Sequence, residues 1–138
     1  MPRLPWFYQL TEPKDLLEAL RHDLRRLEED PGSHYLAYAF CAAADYILYR
    51  VYPGYVHREA REHLLRSSGL VRVCSEIARG SRHFEPVSGE STSADPHQSA
   101  HPARLLVYLA GEDERELGAS LEAVDLAARI LSYWEGLI

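Results

Sequence analysis

The sequence predicts a mainly α protein: a bundle of four to five helices with a small β-hairpin bearing a long loop between the fourth and last helices. Three observations predict it. Apolar residues recur at three- and four-residue steps through most of the chain. Pro, Gly and Ser interrupt that pattern at "EEDPGS", "YPGY" and "RSSG". One short run, "RLLVYLAG", is partly β-branched, ends at Gly, and follows a stretch rich in Ser, Gly, Pro, Asp and His.

The first helix is expected after Thr11, a residue type suited to capping, with Pro13 in the first turn where its missing N–H is harmless. Leu17, Leu20, Leu24 and Leu27 then share one face. Pro31 and Gly32 end the helix, and Ser33 is placed to cap the next one, "HYLAYAFCAAADYILYRVY". This second helix is apolar nearly all round, which predicts the central helix of the domain, with its tyrosines read mainly as core. After the "YPGY" turn comes a short polar helix from His57 to Arg66. Leu70, Val73, Cys74, Ile77 and Ala78 mark a fourth helix. Gly80 stands where a terminating glycine is expected, releasing Ser81 to His83 into a loop. "RLLVYLAG" reads as a strand whose simplest partner is "HFEPV", with residues 87–102 as the flexible loop of the hairpin. Leu117, Leu121, Val124, Ala128 and Leu131 keep the spacing of one final helix, closed by Trp134.

At 138 residues the chain is expected to be a single domain, 1–138, able to bury its own core. Its net charge of -6 argues against a general nucleic-acid binder, which needs clustered positive charge. Cys41 and Cys74 fall in apolar helical runs with no C-x-x-C, so two reduced, buried thiols are expected. No apolar run approaches a membrane span, and a cytoplasmic location is the expectation. His97 and His101 lie four apart but between prolines, and His57 and His63 lie six apart. Neither group supplies the three or four ligands a transition metal wants, so no metal and no cofactor is expected. Phosphate-loop and nucleophile-elbow motifs are missing from the sequence.

Two blocks resemble a group of small uncharacterised bacterial and phage proteins. "VRVCSEIARGSRHFE" is similar to that group's hydrophobic helix ending in Ala-x-Gly-small-basic-His-Phe. "LLVYLAGEDERELGASLEAVDLAARILSYWE" is similar to its strand, Leu-Gly turn and closing helix ending in Trp-Glu. Where that group commonly carries Ala-Glu-His in the second helix, Ala44, Asp45 and Tyr46 stand here. More distantly, helices followed by a basic-and-His element resemble the HEPN superfamily of helical domains. Many of its members are ribonucleases of toxin–antitoxin, abortive-infection and CRISPR-linked systems. Their motif is Arg, four to six residues, then His, with a polar residue after the Arg. Arg79 and His83 have three residues between them, and Gly80 follows the Arg.

The chemistry concentrates on His83, Arg79, Arg82 and Asp45. RNA cleavage without a metal needs a general base near the 2′-hydroxyl and a cation on the phosphate. His83 suits the first role, and Arg79 or Arg82 suits the second through the fork of the guanidinium. Asp45 is the single acid of the apolar second helix and must be paired, hydrogen-bonded or protonated there. It is placed to orient His83 or to hold an Arg. The same four residues also make an ordinary structural ion-pair cluster. The reading is therefore a non-catalytic or degenerate HEPN-like interaction module of a defence, phage or mobile-element system, with a protein partner or a second copy as its partner. The alternative is a metal-independent ribonuclease using His83 with Arg79 and Arg82, for which RNA is the partner. No membrane is expected in either case.

Overall fold

In a computed structural model, which describes residues 12–87 and 104–138, the chain forms six α-helices and a three-stranded antiparallel sheet among those residues. The architecture is the mainly α bundle with a small hairpin that the patterning predicts. Thr11 and nearly all of the expected hairpin loop lie outside the described residues.

Helix α1 (Pro13–Glu29) opens at its proline and has Glu12 at the N-cap position, with no side-chain capping bond. Leu17, Leu20 and Leu27 are buried and Leu24 packs partly against the core, the stripe their spacing predicts. Helix α2 (His34–Val51) is capped as expected: the Oγ of Ser33 accepts from the Leu36 N–H at 3.2 Å. It is the central helix, packed by α1, α4 and α6. Phe40, Cys41, Ala44, Ile47 and Leu48 are buried along it. Tyr46 packs partly buried against the core as expected, and the other three tyrosines of α2 depart from expectation. Tyr35, Tyr38 and Tyr49 are 75 %, 50 % and 38 % exposed, so they rim the core rather than fill it. Three helical neighbours leave one flank of α2 to solvent, and a phenol tolerates water there because its hydroxyl stays hydrated.

A 3₁₀ turn (Tyr55–His57) leads into α3 (Arg58–Ser67), which buries no residue fully. Ser68 ends α3 and starts α4 (Gly69–Ala78), its Oγ accepting from the Val71 N–H at 3.3 Å. Helix α4 runs antiparallel to α2: Tyr38 meets Ala78, and Cys41 meets Cys74. Both cysteines are free and buried. The hydrogen bond to the Cys41 thiol, then burial and the nearby Asp45, hold the Cys74 thiol well above its ordinary pKa, so it stays protonated and unreactive.

The hairpin pairs β1 (Glu85–Pro86) with β2 (Leu105–Tyr108), placing Glu85 opposite Leu106. Strand β2 buries Leu105 and Val107 and turns Tyr108 outward, the alternation of a half-buried strand. The expected final helix is a correction. It divides into α5 (Gly111–Leu117), a third strand β3 (Ser120–Glu122) and α6 (Ala123–Leu137). Strand β3 covers the other edge of β2, with Val107 opposite Leu121 and the Leu109 N–H donating to the Ala119 carbonyl at 2.9 Å. Without it the backbone of β2 would be left unpaired on that side. No helix among the described residues is long and apolar enough to cross a membrane.

Candidate functional site

The end of α4 decides where the expected site residues go. Gly80 takes φ +81, its N–H donates to the Ile77 carbonyl at 3.1 Å, and the Ser81 N–H donates to the Glu76 carbonyl at 2.9 Å. That pair of bonds is a complete Schellman cap. The chain therefore leaves helical geometry at Gly80, and Arg79 is separated in direction from Arg82 and His83.

Arg79 turns back along α2. Its guanidinium donates to the Tyr49 hydroxyl and sits 5.9 Å from the centre of that ring. Arg61 of α3 approaches the same ring at 5.0 Å and donates to the carbonyl of Tyr52, the C-cap residue of α2, and to the Gly54 carbonyl at 2.7 Å, so it also closes the end of α2. Asp45 lies on the same flank of α2, because positions 38, 45 and 49 fall on one helical face. It is half-buried, and its Oδ1 is buried without a hydrogen-bond partner. Burial lifts its carboxyl above the ordinary carboxylate range, and Ser75 and Arg79 pull it only part of the way back. Of the Arg residues of this stretch, Arg79 acts on Asp45 as a nearby charge. His83 is not among the groups that act on Asp45.

Arg82 is engaged elsewhere. Its Nε donates to Glu76 at 2.6 Å, its Nη1 donates to the Tyr108 carbonyl at 3.1 Å, and its Nη2 lies 3.5 Å from Asp113. Asp113, 7 % exposed, also accepts from Arg72, whose Nε is 3.1 Å away. Arg72 in turn donates to the Leu65 and Arg66 carbonyls at 2.8 and 3.0 Å. Arg82, Glu76, Asp113 and Arg72 thus form one network that ties α4 to β2, α5 and the end of α3. Sequence reasoning missed Asp113. The available signal was its position four residues before Leu117, which places it on the inward face of α5.

His83 is exposed and lines an open groove with Arg82, between the turn after α4 and the start of α2. The groove has a volume of about 400 Å³ and is lined by His34, Tyr38, Ile77, Arg82, His83 and Phe84. The Tyr38 hydroxyl donates to the Ala78 carbonyl at 3.1 Å and fixes the side wall. His34, the second imidazole, follows the cap residue Ser33 and gives no sequence signal; only the antiparallel packing of α2 on α4 brings it to His83. Two imidazoles in one groove can hold an anion or exchange a proton with it. Among the described residues no group of three or more His, Cys, Asp or Glu side chains is placed to hold a metal. The remaining histidine pair of the expected ligand sets, His97 and His101, lies outside the described residues. The four expected site residues therefore divide three ways: Asp45 with Arg79 on the flank of α2, Arg82 in the ion-pair network, and His83 in the groove. The chain matches no family model, no curated protein and no solved structure.

Proposed function

We propose that the chain is a non-catalytic, HEPN-like interaction module, cytoplasmic, acting in a defence, phage or mobile-element setting through a protein partner or a second copy of itself. One observation carries the non-catalytic part. Arg82 is held at once by Glu76, Asp113 and the Tyr108 carbonyl, and Arg79 by Tyr49. A guanidinium whose donors are already taken up by the fold, and whose charge carboxylates balance in the case of Arg82, has little left to offer a phosphate as charge develops on it. The HEPN-like part and the biological setting rest on the sequence resemblance alone. The exposed Tyr35, Tyr38 and Tyr49 of α2, with exposed Arg79 against Tyr49, supply residue types enriched at the hot spots of protein interfaces.

A second reading, a metal-independent ribonuclease, is favoured by the exposed position of His83 in a groove that Arg82 also lines. One experiment separates the two. The purified chain is incubated with a panel of single-stranded and structured RNAs, and its mass in solution is measured by light scattering. Intact RNA, together with a mass of two chains or a stable complex with a partner protein, supports the interaction module. RNA degradation that His83→Ala abolishes, with the far-UV circular dichroism unchanged, replaces it with the ribonuclease.

A further inference from the structure

The groove between α2 and the turn after α4 differs in its charge from two other open cavities among the described residues. The chain has 21 acidic residues against 15 Lys and Arg, yet no carboxylate occurs among the described residues that line this groove. The cavity beside the 3₁₀ turn is lined by Glu59 and Glu62, and the cavity between α3 and α5 by Glu112 and Asp113. Here the polar lining is His34, His83, Arg82 and Tyr38, all donors or groups that can carry positive charge. The apolar lining, Ile77 and Phe84, is buried and offers a fixed surface to one flat or aliphatic body. A volume of about 400 Å³ suits a small organic molecule.

We propose that this groove binds a small phosphate monoester, with the phosphate between the imidazoles of His34 and His83 and the ester's apolar body against Ile77 and Phe84. Both imidazoles are exposed, so their nitrogens are open to a ligand. Arg82 forms one wall of the groove, its charge balanced by Glu76 and Asp113 behind it. Two imidazoles on one groove, with no carboxylate among its lining residues, favour an anion with several acceptor oxygens, which a phosphate monoester has. Binding of this kind breaks no bond and does not depend on the interaction-module reading.

Phenyl phosphate is the direct probe, titrated into the full chain while the imidazole Cε1–H resonances are followed by NMR. The resonances of His34 and His83 are expected to move together and to saturate, and phenol at the same concentrations is expected to move neither. His34→Gln and His83→Gln, at exposed positions, should each weaken binding by about tenfold, the loss of one charge-assisted hydrogen bond. Arg79→Gln, outside the groove, should leave it unchanged. A 5′-phosphorylated oligonucleotide and its 5′-hydroxyl counterpart separate the two sources of the same chemistry: binding of the phosphorylated strand alone identifies a strand terminus, and binding of phenyl phosphate without either strand identifies a free ester. Equal binding of phenol and phenyl phosphate, wild-type affinity in both histidine variants, or no response to phenyl phosphate would overturn the proposal. None of those results bears on RNA cleavage or on the mass of the chain in solution.

Discussion

Asp45 shows how one residue's setting turns into a pH dependence. A lone acid in an apolar helix must be compensated, and here the compensation is partial: Ser75 and Arg79 favour the charged form, while burial, the larger effect, disfavours it. The folded-state pKa is therefore raised above the ordinary value of 3.8. The folded chain binds this proton more tightly than the unfolded chain does. The resulting stability is fully present below that ordinary value and is lost as the pH rises through the folded one. Asp45→Asn removes the charged form, so the variant should have a higher urea midpoint than wild type at pH 7 and the same midpoint near pH 3. A lower midpoint at pH 7 would show that the carboxylate holds Arg79 more than burial opposes it. The need for a partner at Asp45 was legible in the sequence, because the residue type conflicts with its neighbours. Which groups answer it was not: they are Ser75 by a hydrogen bond and Arg79 as a nearby charge, and only the packing of α4 on α2 brings them there. Asp113 was harder still. It stands in "EDERE" between exposed Glu112 and Glu114, and the four-residue step to Leu117 is the one sequence signal that sets it apart before its burial against two guanidiniums is seen.

At the scale of elements, starts and stops were legible wherever a local group decides them. Ser33 and Ser68 cap helices through their own hydroxyls, and Gly80 closes α4 with the two bonds expected of a terminating glycine. The division of the last segment was not legible in the apolar spacing, because Leu117, Leu121 and Val124 are spaced four and three apart, as they would be in one continuous helix; only the Leu-Gly turn of the resemblance marks a break there. Two non-local facts override that spacing. The exposed edge of β2 needs a partner, and Gly118 adopts φ +100, ψ 174, a region that only glycine occupies without strain. Gly118→Ala should therefore destabilise the chain by about 1–3 kcal/mol, measured as a loss of urea-unfolding free energy. The cost is of backbone origin, since an added Cβ would meet nothing closer than the Ser120 carbonyl at 4.0 Å. An unchanged unfolding free energy would mean that residues 117–120 are not held in this path.

For the whole molecule, the core is continuous from α1 through α2, α4 and α6 to the inner face of the sheet. Trp134 stands at its centre, 1 % exposed, with Ala44, Leu48, Val71, Cys74 and Ile130 around a gap that has no room for water. Outside this core, α5 and the hairpin are fastened to α4 by the Arg72–Asp113–Arg82 network, and β3 leads directly into α6. Apart from α3 and the 3₁₀ turn before it, which bury no residue fully, no element described can leave without exposing part of the same packed interior or breaking a half-buried ion pair, and either cost is of the order of several kcal/mol. Unfolding should therefore be a single cooperative transition. In a Trp6→Phe background, Trp134 fluorescence reports the centre of the core and circular dichroism at 222 nm reports all the helices. Coincident urea midpoints for the two signals are expected. A fluorescence transition that precedes or follows the loss of helix would show that α5 and the hairpin, or α3, unfold apart from the rest, and that the chain is two cooperative units.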